Sequence, residues 1–138
     1  MAIYDRSASL RTLILSLPTV VAVAGQRVFL SAELPAGYDP KAVTTNPALT
    51  GPAILVTDRG GRPGITSILV DSIYHAECYA VDQATARALD GLLFTALHDQ
   101  SSGRIRSVRC TTTGQHLVSP RTNWNIYLSV WQVTSVMA

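Results

Sequence analysis

The chain has 138 residues and a mass of 14.8 kDa, enough for one domain and too little for two full cores. Apolar residues make up 47% and mean hydropathy is +0.22, which excludes a disordered chain. The net charge is +2, from 11 basic and 9 acidic residues, too balanced for tight free nucleic-acid binding.

Leu10, Leu13, Ile14 and Leu17 fall at i, i+3, i+4 and i+7, which predicts a first helix, capped by Asp5 or Ser7 and ended by Pro18. Arg6 and Arg11 precede the apolar run LILSLPTVVAVA, and Ala22-Val23-Ala24 resembles a signal-peptidase site. Pro18 within the run and Asp5 among the early charges argue against cleavage, and the run is too short to span a bilayer. In Thr19 to Gly25 the β-branched residues favour a strand. Pro18 at a first helical position and Gly25 at the end favour a short second helix, the reading preferred here.

Arg27 to Ser31 is predicted as a short strand. Glu33 to Gly51 holds three Pro and two Gly with few large apolar residues. It reads as a long surface excursion ordered by a partner, with Leu34, Tyr38, Val43 and Leu49 as possible anchors. Ala53 to Asp58 is a strand, Arg59 to Gly64 a Gly-rich turn, and Ile65 to Val81 a long strand, together a hairpin. Asp82 is a good N-cap for a helix from Gln83 to about His98, with Ala86, Leu89, Leu93 and Leu97 on its apolar face. Arg104 to Thr113 is predicted as a strand, GQHLVSPRTN as a loop and Trp124 to Val136 as the last strand. In that strand Ile126, Leu128 and Val130 point one way, Tyr127 and Trp131 the other. Strands cluster instead of alternating with helices. The predicted fold is therefore α+β, a single domain with a mostly antiparallel sheet and helices packed on one face.

Few residues suggest chemistry. His75-Ala76-Glu77 matches half of a zinc deaminase signature, but the PCxxC half is missing. An outward strand face carrying His75 and Glu77 explains it. His98-Asp99 sits at a helix end, where the macrodipole favours a histidine. His116 lies in the predicted loop with no identifiable partner. RGGRPG lacks the Lys-Ser/Thr of a phosphate loop. Cys78 and Cys110 are far apart and form neither a CxxC nor a disulfide framework. No enzyme, metal or cofactor is expected.

Charged residues are only 14%, well under the usual quarter, which points to a surface covered by other chains. Ten of the eleven basic residues are Arg, Lys41 being the exception. Arg suits interfaces, although a GC-rich coding sequence produces the same bias. Candidate partner contacts are Arg59 and Arg62 at the hairpin tip, Arg104 and Arg106 on one strand face with Arg109 on the other, and the aromatics Trp124, Tyr127 and Trp131. Core packing is the default for the aromatics, and a solvated sheet edge for the Arg pair.

The layout resembles the tail-terminator, or tail-completion, proteins of long-tailed bacteriophages, components of the siphophage neck. The similarity covers nearly the whole chain. An amphipathic N-terminal helix leads into AGQRVFL, and a Pro-containing segment into GPAILVTD. A long strand ending in HAECYAVD runs into the helix ATARALDGLLFTALHD, followed by RIRSVRCTTT and WNIYLSVWQV. The resemblance implies a structural virion protein, assembled in the host cytoplasm into a homo-oligomeric ring of six. Such a ring caps the completed tail-tube protein and joins it to the head-tail connector or stopper protein. Genomic DNA passes through its lumen without specific binding. The resemblance implies no cofactor, no active site and no membrane. Two alternatives remain: another neck or tail ring component, such as a head-completion (stopper) or tail-tube protein, and a small ligand-binding or enzymatic α+β domain.

Overall fold

The computed structural model describes residues 5–30, 33–40, 48–63, 69–119 and 122–136, with the side chains of 61–63 excepted. The elements run α1 (Arg6–Leu15), α2 (Pro18–Ala24), β1 (Val28–Leu30), β2 (Ala53–Pro63), β3 (Leu69–Ala80), α3 (Gln83–Leu97), β4 (Ile105–Val118) and β5 (Asn125–Val136). The five strands form one sheet in the order β1-β2-β3-β5-β4. Among the described strand pairs, β1–β2 is parallel and the other three are antiparallel. This is the α+β sheet expected from the clustering of strands.

Helix starts follow local chemistry. Asp5 accepts from the Ala8 N–H at 3.0 Å and Asp82 from the Thr85 N–H at 2.6 Å, each satisfying an orphan amide of a first turn. Pro18 stands in the first turn of α2, where its missing N–H costs nothing, and Gly25 ends that helix at φ +57°. The segment is therefore helical up to Ala24: Val20 and Ala24, four residues apart on one helix face, are buried in the core. α1 and α2 meet at 90°, and no single helix is long and apolar enough to cross a membrane.

Two arginines staple this corner. Arg11 Nε donates to the Val28 carbonyl at 2.6 Å. Arg27 donates from Nε to the Pro52 carbonyl at 2.7 Å and from Nη2 to the Val23 carbonyl at 3.1 Å. Gly51 is needed beside it, because it holds φ +101° and a Cβ there would press on the guanidinium.

All three helices pack on one side of the sheet. Leu10, Leu13, Ile14, Leu17, Val20, Leu89, Leu93 and Leu97 meet Ile54, Val56, Tyr74, Ala76, Cys78, Trp131 and Val133. The other side carries a smaller cluster of Tyr38, Ala53, Leu55, Tyr79 and Ile126. Two-residue alternation produces both sets.

Three boundaries differ from the expectation. Arg59–Pro63 is not a turn but the end of β2, carried past a bulge between Asp58 and Gly61. Gly60, at φ +94°, supplies the bulge, and its N–H donates to Asp58 Oδ1 at 2.8 Å. The expected tip at Gly64 and the strand start at Ile65 lie outside the described residues. GQHLV is likewise strand, because β4 runs on to Val118 alongside β5. Finally, the excursion is anchored within the chain. Tyr38 is 5% exposed, packs edge-on against Phe29, Tyr79 and Trp124, and donates from its hydroxyl to the Gly51 carbonyl at 2.5 Å. Leu34 joins the same cluster. Leu34 and Tyr38 thus pack on their own sheet, where the expectation gave them no common surface, since an aromatic ring found a free sheet face beneath it. Val43 lies outside the described residues.

Candidate interaction surface

Strand pairing decides where the candidate arginines stand. The end of β2 pairs with the start of β3 (Arg62↔Asp71). The start of β3 pairs with the end of β5 (Asp71↔Thr134), which pairs with the start of β4 (Ile105↔Ser135). Arg59 and Arg62 therefore share one end of the sheet with Arg104 and Arg106, although some forty residues separate them in sequence. Two strands lie between the pairs, roughly 14 Å at ~4.8 Å per strand. Arg59, Arg104 and Arg106 are exposed. α1 begins at this end too, with Ser7 Oγ 3.0 Å from the Tyr74 hydroxyl and Arg6 Nη2 3.5 Å from Asp58 Oδ2. The other carboxylate here, Asp71, accepts from Thr134 Oγ1 at 2.6 Å. The end carries Arg6, Arg59, Arg62, Arg104 and Arg106 against Asp5, Asp58 and Asp71, and is net basic.

Arg104 and Arg106 do not share a strand face as expected. Arg104 precedes β4 in a turn, its carbonyl accepting from Val136 N–H at 2.8 Å. A bulge between Ile105 and Ser107 breaks the alternation that the pairing assumed. Arg109 pairs with Gln132 on the side away from the helices, 3.9 Å from Asp99 Oδ1.

The aromatic candidates are core residues. Trp131 is 2% exposed and donates from Nε1 to Ser129 Oγ at 2.7 Å. Tyr127 is 8% exposed, its hydroxyl accepting from Gln83 Nε2 at 3.2 Å. Trp124 is half-buried against Tyr38 and Tyr79. α3 covers the face that Tyr127 and Trp131 share, so these two rings are closed to a partner, whereas Trp124, on the other face, keeps part of its surface exposed. The opposed directions of Ile126 and Tyr127 along the strand are as the alternation required.

The opposite end of the sheet is chemically different. Val81, Leu117 and Val118 are exposed there at 44%, 40% and 50%. They share this end because Asn125 pairs with both Ala80 and Val118, and its Nδ2 donates to the Val81 carbonyl at 2.9 Å, with Leu117 and Val118 on opposite faces of the sheet. Composition alone reads Leu117 and Val118 as loop; the hydrophobic pair before Ser119-Pro120 is the one local signal against it.

The histidines have structural partners. His98 Nδ1 accepts from the Cys110 N–H at 3.0 Å, and its ring stacks on Phe94. His116 Nε2 lies 3.0 Å from Asn125 Oδ1. His75 and Glu77 lie on the sheet face away from the helices, and Glu77 Oε2 accepts from the Tyr79 hydroxyl at 2.6 Å. Among the described residues no three His, Cys, Asp or Glu side chains are grouped to hold a metal.

One carboxyl group is placed where sequence gave no warning. Asp90 lies on α3 beside Ser129, with Oδ1 buried and without a hydrogen-bond partner among the described residues. Burial raises its pKa, against a smaller lowering by the Ser129 hydroxyl. Burial also raises the Cys78 and Cys110 thiols, with the nearby Asp90 charge adding to both, so neither is an activated nucleophile. An open cleft between α1 and the turn Ser102–Arg104 is lined by Ser9, Thr12 and Ser16, but the Thr12 and Ser16 hydroxyls turn back to the Ala8 and Leu13 carbonyls. It offers a ligand few convergent polar groups. No family model matches the chain, and no curated protein matches it.

Proposed function

We propose that the chain is a structural subunit of a phage neck, the tail terminator, which forms a six-membered ring on the completed tail tube. One observation carries this reading furthest. The sheet has two unlike ends, one gathering Arg59, Arg62, Arg104 and Arg106, the other presenting Val81, Leu117 and Val118. A subunit that sits between two different assemblies needs two such surfaces. The basic end suits a carboxylate of a neighbouring subunit or passing DNA phosphate. With a net charge of +2, contact with DNA is weak enough for sliding. The layout of elements, which resembles that family over nearly the whole chain, supports the same reading. The ring meets tail tube on one side and the head connector on the other, and acts without a cofactor.

Electron microscopy of particles from a mutant lacking this protein tests the proposal. Tails of uncontrolled length, with no six-fold density at the tail's head-proximal end, are expected. Tails of normal length on heads that leak DNA would overturn the terminator role and favour a stopper. Normal particles of full infectivity would remove the protein from the neck altogether.

A further inference from the structure

The outer edge of β4 is protected along half its length only. Over Ile105–Cys110 the connection from α3 lies against it. Ser102 exchanges backbone hydrogen bonds with Ile105 at 3.0 and 2.9 Å, and the Asp99 N–H donates to the Val108 carbonyl at 2.7 Å. His98 Nδ1 takes the Cys110 N–H. Asp99 adopts φ +66°, uncommon for a residue with a side chain, where it makes this contact. Past Cys110 the cover stops. Among the described residues no strand lies beyond Thr111–Val118, and all eight residues are exposed. Their sequence, TTTGQHLV, holds no Lys, Arg, Asp, Glu or Pro, the residues that ordinarily blunt a free edge. Bulges bend the strand before Gln115, but Gln115–Val118 stays in unbroken register with Leu128–Asn125. The far edge of the sheet is different: β1 is three residues long, and Arg11 occupies its Val28 carbonyl.

We infer that a second copy of this chain pairs antiparallel with this open half of β4, about a two-fold axis at Gln115, and joins the two sheets into one. A row of free N–H and C=O groups is satisfied by another extended backbone. The segment is its own best complement. It is uncharged apart from His116, so a copy meets no row of like charges across the seam. The register places the copy's His116 opposite Gly114, which has no side chain to obstruct it. Both lie on the helix side, since His116 pairs with Tyr127 and a Cβ on Gly114 would overlap Asp90 Oδ2. The copy's imidazole thus comes against the Asp90 carboxylate, whose Oδ1 lacks a partner among the described residues. With Nε2 kept on Asn125, the ring has Nδ1 left for a hydrogen bond with that carboxyl group. This pairing uses the same surface on both chains and closes after two, whereas a ring joins unlike surfaces. It is therefore argued apart from the ring reading, although its seam includes Leu117 and Val118 of the apolar end.

Gln115→Cys in a Cys110→Ser background tests the axis. Residues facing each other across an antiparallel pair have Cα atoms about 4.5–5.5 Å apart, within disulfide range. Mild oxidation is expected to give a covalent dimer, faster than for Gln100→Cys, an exposed site away from the axis. Sedimentation of the unmodified chain is expected to show a dimer that grows with concentration. Leu117→Lys, an exposed change, is expected to abolish it with an unaltered circular dichroism melt. A chain that stays monomeric overturns the pairing. So does a dimer that survives Leu117→Lys, or one that Gln115→Cys captures no faster than Gln100→Cys. Loss of the free dimer from Thr113→Lys, an exposed site on the same seam but outside the apolar end, while six-fold rings still assemble supports the pairing and leaves the ring reading intact.

Discussion

Leu93 is fully buried in the stripe that α3 turns toward the sheet. Leu93→Asp places an unpaired charge there, at a cost of several kcal/mol against a domain stability of about 5–15 kcal/mol. The variant is expected to be insoluble or to lack a cooperative melt. Gly114→Ala tests a different constraint. The new methyl group would overlap Asp90 Oδ2 and lie 2.8 Å from Tyr127 Cδ1. Overpacking of this kind costs about 1–3 kcal/mol, readable as a lower urea midpoint. Asp90 and Asp82 have opposite pH signatures. Burial raises Asp90, so its contribution to stability is fullest below the ordinary value of 3.8 and is lost as pH rises through the folded pKa. Asp82 is lowered by the Thr85 N–H and then the Thr85 hydroxyl, so its contribution is present above 3.8 and lost as pH falls. Across the mildly acidic range, the melting temperature of the unmodified chain should fall with rising pH relative to Asp90→Asn. Toward stronger acid, it should lose its advantage over Asp82→Ala.

Among the described residues of the excursion from Glu33 to Gly51, Tyr38 is the most deeply buried anchor. Tyr38 meets Phe29, Tyr79 and Trp124 edge to face, with centroids 5.6 to 6.4 Å apart. The Asp39 N–H donates to the Leu49 carbonyl at 2.9 Å, closing the base of the loop. Tyr38→Ala is expected to remove hydrogen-exchange protection at Asp39 while leaving α3 and the central strands protected. Equal protection in both chains would show that the loop holds itself by other contacts. Composition could not reveal this, because four anchors without periodicity do not say which surface receives them. β2 and β4 outrun their expected ends for a related reason. Gly and Pro mark turns when chain direction is judged locally, yet a neighbouring strand can carry the backbone past them through a bulge.

For the whole molecule, the gathered arginines make a direct prediction. Arg59→Ala with Arg62→Ala should leave the circular dichroism spectrum unchanged, since Arg59 is exposed on a bulge at the sheet's end. Tails that fail to cap would place this end in docking. Complete particles that eject DNA slowly would place it along the lumen. Normal capping and infectivity would leave the two arginines without a role, as is common for solvated charges.

Sequence alone determined the kind and order of the elements and the faces of α3 and β5. The 3.6-residue spacing of Ala86, Leu89, Leu93 and Leu97 fixed the buried side of α3, and two-residue alternation separated Ile126 from Tyr127 on β5. Both are local periodicities, legible wherever one side of an element must leave water. Tertiary structure decided what those faces met and what was left over. Helix cover turned Tyr127 and Trp131 from candidate contacts into core, and strand order β1-β2-β3-β5-β4 brought Arg59 and Arg104 to one end. The same order left the far half of β4 as an open edge. Backbone hydrogen bonds between strands join residues at any sequence separation, so neighbourhood across a sheet is set by pairing and not by spacing.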